Sequence, residues 1–226
     1  MAMSEFDIIE KYFKQQTPRH PSVELGVGDD AAIVDHTSSP KLAICIDTLV
    51  EGVHFPKETA AFDIGYKALA VNLSDLAAMG TKPAWTTLAM TLPEPNLTWL
   101  ESFCDGFLAL AEKHSVALIG GDTTRGPLTI TVQAAGEVDH EHYLTRSGAK
   151  PGDLIFVTGT PGDAAAGLAS IQGHLTANQQ DHDYLTARLN RPTPRVDIGL
   201  KLREIASSCI DISDGLVADM GHIATS

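Results

Sequence analysis

Apolar side chains at Phe62, Tyr66, Leu69, Leu73 and Leu76 recur in alternating steps of four and three. That spacing predicts a helix over 62–79 with one face turned to a core. Gly80 follows at the place where a left-handed residue closes a helix. Leu100, Phe103, Phe107 and Leu110 repeat the pattern and predict a second helix over 98–114, with Thr98 and Glu101 as a capping box. A shorter helix is expected over 5–16, capped by Ser4 and carrying Phe6, Ile9 and Phe13 on one side. Between these stripes lie runs of β-type residues at 31–35, 41–48, 84–92, 116–119 and 128–138. Strands interleaved with helices give an α/β or α+β class, a mixed sheet with helices on one face.

The texture changes near Ser147–Gly152, where Pro151-Gly152-Asp153 is a turn signal. A fresh strand is expected at 154–158, helices at 164–173, 184–189 and 195–206, and a strand at 209–212. A last helix is expected from Gly215, and a polar surface loop over 176–183. The boundary is therefore placed at about 148, giving one unit over 1–147 and an incomplete α/β unit over 148–226. The second unit holds only about 78 residues, which is small for a closed core, so the sequence reads as part of a longer chain.

A net charge of -13 and a pI near 4.9 disfavour nucleic-acid backbones and anionic membranes as partners. Hydrophobic residues make up 43% of the chain, mean hydropathy is +0.00, and no run approaches 18 consecutive apolar residues; the expectation is a cytoplasmic protein without a membrane span. Cys45, Cys104 and Cys209 show no CxxC spacing, which fits reduced thiols better than a disulfide frame or zinc.

Six segments place aspartates beside turns or strand ends: Gly28-Asp29-Asp30, Asp47-Thr48, Asn72-Leu73-Ser74-Asp75, Gly120-Gly121-Asp122, Pro161-Gly162-Asp163 and Asp211-Ile212-Ser213-Asp214. Carboxylates gathered in one cleft repel by roughly 4 kcal/mol per pair at ~4 Å, so they take up protons or hold hard cations. Singly, each segment reads equally as a turn or a helix cap. Asn72 and Asp75 share a helix face off the apolar stripe, toward either a ligand or water. Gly120–Gly126 reads as a phosphate-approach loop or an ordinary hairpin. Thr158–Asp163 joins a strand to a helix and offers its amides to an anion, or simply caps the helix. Arg146 has the planar fork that suits phosphate oxygens. His54, flanked by Val53 and Phe55, suits a pocket better than a magnesium site.

Taken in order, ELGVGDDAA at 24–32, DTLVEGVHF at 47–55, YKALAVNLSDLAAMG at 66–80, GGDTTRGP at 120–127, LTRSGAKPGD at 144–153 and IDISDGL at 210–216 resemble the thiamine-monophosphate kinase family. That family sits in a superfamily with aminoimidazole ribonucleotide synthetase and selenophosphate synthetase. The resemblance implies ATP-dependent phosphorylation of thiamine monophosphate to thiamine diphosphate, and a homodimer whose N-terminal sheets join into a barrel. It also implies several Mg2+ ions held by Asp30, Asp47, Asp75, Asp122, Asp211 and Asp214, with positions 45 and 46 in the metal set. There Cys45-Ile46 replaces the family's small hydroxyl pair, which leaves the Ile46 carbonyl to serve. By the same resemblance, Gly121, Asp122, Arg146 and Ser213 contact ATP, His54 contacts the substrate, and Asp29 supports the metal site. The family's C-terminal GGEDYE-type motif has no counterpart in these residues. Two other readings stay open: an enzyme of the superfamily with another acceptor, and a non-catalytic metal- and nucleotide-binding dimer module.

Overall fold

The computed structural model describes residues 23–25, 29–35 and 40–226. The expected helix over 5–16 and the glycines of 26–28 lie outside them. Six strands form one sheet: β1 (Val23–Leu25), β2 (Ala32–Val34), β3 (Lys41–Val50), β4 (Lys82–Leu92), β5 (Ala117–Arg125) and β6 (Thr129–Val138). Their order is β1-β2-β3-β6-β4-β5. Every pairing is antiparallel except β4 with β5, which the helix between them makes parallel. The class is the expected mixed α/β layer.

Helices α1 (Ala61–Ala78) and α2 (Leu97–His114) pack on each other on one face of that sheet. Ile64, Leu69, Leu73 and Leu76 of α1 meet Phe103, Phe107 and Leu110 of α2 and Ile130 and Val132 of β6 in a single core. The rings of Trp99, Phe103 and Phe107 stack along α2 at centroid spacings of 5.3 and 6.2 Å. Gly65 and Gly106 let the helices cross with backbone against backbone, since a Cβ on either would enter the other helix's main chain. Gly80 closes α1 in the left-handed region at φ 64°, and Thr81 N–H donates to Leu76 O at 2.8 Å as the cap requires.

Four expectations are corrected. The N-cap of α2 is Asn96, whose side chain accepts from Trp99 N at 3.0 Å, and not Thr98. The run after Val116 does not stop at Ile119. β5 continues through Gly120-Gly121-Asp122 to Arg125, because eight register pairs with β4 satisfy its backbone even though it buries no side chain. The segments 154–158 and 209–212 form no strand. Leu154 and Phe156 stand 80% and 85% exposed, for a β-type composition makes a strand only beside a hydrogen-bonding neighbour. Finally, the polar stretch 176–183 is half helix.

The later helices are α3 (Asp163–Ile171), α4 (Gln179–Asn190), α5 (Val196–Leu202) and α6 (Leu216–Thr225). Asn178 starts α4 early by accepting from Asp181 N at 2.9 Å, whereas α5 ends short of the expected 206. Among them, α4 and α5 dock on α1. Arg191 bonds Asp63 at 2.6 Å, Gly199 lies against the Ala77 backbone, and Arg203 Nε donates to Gly80 O. This docking closes a cleft beside the C-terminal half of α1, where the acidic segments converge.

Candidate metal centre

Three aspartates from distant parts of the chain meet in that cleft. One carboxylate oxygen each of Asp30, Asp75 and Asp211 lies within 4.8 Å of the others. Asp75 projects from α1. Asp30 follows Asp29 in the turn before β2, and Asp211 lies in the extended segment 209–212. Cys209 N donates to Thr145 O at 2.9 Å, which pins that segment beside the strip bearing Arg146. Ser74, one residue before Asp75, draws the Asp211 carboxyl downward, against the larger effect of burial.

Burial and mutual repulsion hold protons on this cluster. Burial first, then the charges of Asp47 and Asp211, push the Asp75 carboxyl up to about 9. Asp211 rises to about 7 through burial and the charge of Asp30. Asp47, on β3, is raised by burial and drawn back by neighbouring Asp75, whereas Asp47 pushes Asp75 further up, so Asp75 is the one of the two that keeps its proton. Asp30 is raised by burial and partly restored by Arg146, whose Nη2 donates to Asp30 Oδ1 at 2.7 Å. Asp29 supports this arm: it accepts Arg146 N at 3.2 Å and Asp30 N at 2.9 Å. Asp30 Oδ2 is buried and has no hydrogen-bond partner among the described residues. A buried carboxylate oxygen without a partner, on a residue clustered with two more acids, is what a hard cation ligates.

The structure sorts the remaining residues named from the sequence. Cys45 is buried against α1, its Sγ 3.4 Å from Asn72 O, and burial raises its thiol well above the usual range. Asn72 is fully buried and spends its Nδ2 on Ala68 O at 3.1 Å; it faces neither water nor the cluster. Ile46 points to the opposite face of the sheet and is exposed. Asp122 pairs in register with Ala89, Ala89 with Thr131, and Thr131 with Thr48. Three strand spacings of about 4.8 Å therefore separate Asp122 from β3, and it shares the open face with Thr48 rather than the helix-covered face with Asp47. Within one copy, Gly121 and Asp122 do not join the trio. Ser213 and Asp214 are exposed on the loop after Asp211. His54 lies in the turn after β3, its Nδ1 accepting from Val50 N at 2.9 Å, so the neutral ring carries its proton on Nε2.

Two residues escaped the sequence reading. Ser74 sat inside the helical stripe with no signal beyond its adjacency to Asp75. Asp219 is buried on α6 behind the Asp211 loop and accepts two of its amides; its position four residues after Gly215 at the helix start was the available clue.

The profile of AIR synthase related protein, N-terminal domain, matches residues 28–138. Thiamine-monophosphate kinase of Escherichia coli (strain K12) is 54% identical over 224 residues, covering 99% of this chain and 69% of that relative. The chain belongs to the thiamine-monophosphate kinase family. A crystal structure of the Stenotrophomonas maltophilia K279a thiamine-monophosphate kinase superposes with a TM-score of 0.80 at 52% identity, over 100% of this chain and 72% of that one. The structure of AaThiL complexed with AMPPCP and TMP superposes at 0.88 with 34% identity, over 98% and 69%. Members of the thiamine-monophosphate kinase family thus share this chain's fold through its C-terminal helices.

Proposed function

We propose that this protein is an ATP-dependent kinase that phosphorylates thiamine monophosphate to thiamine diphosphate, with Mg2+ held by Asp30, Asp75 and Asp211 and by Asp47 beside them. The observation that carries the reading is the convergence within 4.8 Å of three carboxylates from segments far apart in sequence, one of them with a buried oxygen that has no partner among the described residues. The AaThiL relative in complex with AMPPCP and TMP supports the donor and acceptor. The all-oxygen donor set suits magnesium and disfavours zinc. Bound there, hard cations would offset the charge of the phosphate chains.

The chain's own residues supply the rest. Arg146, held by Asp29 and Asp30, sets a guanidinium at the edge of the cleft for phosphate oxygens, and Ser213 and Asp214 extend the same rim. His54 offers its Nε2 proton to the acceptor. The acceptor's own phosphate has a second ionisation near pH 6, so its oxygen is already anionic at neutral pH and no general base is required. The phosphoryl group then passes directly to it, without a phosphoenzyme.

We also infer two units, 1–147 and 148–226, and a homodimer that covers the open face bearing Ile46, Thr48, Thr131 and Asp122. That face mixes Thr48 and Thr131 with apolar Leu42, Ile44 and a 62% exposed Ile46, and pairing would carry Asp122 of one copy toward the other. A cytoplasmic location fits the composition, and no helix among the described residues is long and apolar enough to cross a membrane. The test is ADP release with Mg2+ and thiamine monophosphate, wild type against Asp211→Asn. Turnover that needs both additions and falls at least about 100-fold in the variant is expected. Nucleotide binding without ADP release, or an unaffected variant, would overturn the reading.

A further inference from the structure

The loop that delivers Asp211 is short, exposed at Ile212, Ser213 and Asp214, and flanked by no strand. Its first anchor is Cys209 N on Thr145 O. Its second is a side chain. Asp219 sits one turn into α6, 3% exposed, and its Oδ2 accepts Ser213 N at 3.0 Å and Gly215 N at 3.1 Å. Gly215 O in turn accepts Asp219 N at 3.0 Å. Asp219 is thus bonded in both directions across the helix start, and the loop between Cys209 and Gly215 is fixed at its two ends with Asp211 inside the span.

We propose that Asp219 is a positioning residue for the metal centre: by holding the Ser213 and Gly215 amides it keeps the Asp211 carboxylate turned toward Asp30 and Asp75. The inference rests on the reading of that trio as a cation site. Two backbone amides bonded to one buried side-chain oxygen fix the turn they belong to, and with it the direction in which Asp211 leaves the loop. The arrangement is the one by which buried outer groups orient metal ligands, and losing such a group typically lowers metal affinity about 10- to 100-fold.

Asparagine retains an oxygen able to accept both amides, and alanine does not, so the pair of variants separates hydrogen bonding from charge. Mg2+ binding is measured by calorimetry on wild type, Asp219→Asn and Asp219→Ala, together with amide exchange over 211–216 in metal-free protein. Asp219→Ala is expected to weaken Mg2+ binding at least about 10-fold and to speed exchange in that segment, with Asp219→Asn within about threefold of wild type on both counts. Equal damage from the two variants overturns the proposal, since charge and not orientation is then responsible. Faster exchange in Asp219→Ala with unchanged Mg2+ affinity also overturns it. A wild type that binds no Mg2+ sinks the parent reading instead, and the exchange comparison still decides whether Asp219 holds the loop: unchanged exchange in Asp219→Ala refutes the clamp.

Discussion

Asp75→Asn removes one ionisable group from the cluster while leaving an N–H where the protonated carboxyl meets Asp47. Two unit charges 4.8 Å apart at an effective dielectric of 20 repel by about 3.5 kcal/mol, so three ionised members cannot be accommodated cheaply. The fold responds by holding a proton on Asp75 up to about pH 9, against an unfolded value of about 3.9. The sign follows from proton counts. Between those two pH values the folded state binds more protons than the unfolded one, so stability is full below about pH 4 and declines as pH rises toward 9. The slope for one group is at most about 1.4 kcal/mol per pH unit, and water reaching the cleft screens it below that. In Mg2+-free buffer, Asp75→Asn should therefore be the more stable protein, with a gap that widens from pH 5 to pH 8 by up to about 4 kcal/mol. At this chain length each kcal/mol corresponds to roughly 2–4 °C in Tm. Thermal melts of both proteins at pH 5, 6.5 and 8 measure the gap, and saturating Mg2+ should reverse the order by stabilising only the wild type. Parallel melting curves across the pH range, or a variant less stable at pH 8, would refute the account of a strained carboxylate cluster.

Two further outcomes test the scaffold. Lys67 is 6% exposed on α1, and burial lowers its ammonium to about 8 despite the charge of Asp63. Lys67→Met should stabilise the protein at pH 7 by up to about 3 kcal/mol and abolish a rise in stability between pH 8 and 10.5, read by chemical denaturation at each pH. Gly106→Ala should cost about 1–3 kcal/mol despite alanine's better helix propensity, because its Cβ would enter the Phe62 main chain and force α1 from α2. An unchanged denaturation midpoint would show that the helices can part freely.

The core elements were legible because their apolar stripes are long and regular: α1, α2, β3, β4 and β6 fall within a few residues of the sequence reading. β5 was not. An edge strand that buries nothing leaves no alternation to read, and GGDTTR has the composition of a turn. The opposite error occurred at 154–158, where a strand-like run has no strand partner among the described residues. In the candidate site, local pattern marked Asp30, Asp75 and Asp211 only as acids near turns, and the family resemblance is what named them as metal ligands. Their convergence depends on Cys209 pairing with Thr145 and on α5 docking against α1, contacts no local pattern announces. Asp122 turns on a parity, since one residue's shift in strand register exchanges the two faces of a sheet.

The arrangement of charge argues that the cluster is kept for what it binds. A protein selected for stability alone would replace Asp75 or Asp211 with a neutral residue and gain several kcal/mol at neutral pH by the linkage above. Here instead Asp30 is partnered by Arg146 on one oxygen and, among the described residues, orphaned on the other, and Asp219 braces the Asp211 loop from behind. One guanidinium against this many carboxylates leaves the group short of neutral. The repulsion so retained is released when cations enter, which makes cation binding and the stability lost at high pH two measures of one quantity. A variant series at 30, 75 and 211 should therefore show metal-free stability rising as Mg2+ affinity falls, and a series in which both fall together would mean that these carboxylates serve the fold alone.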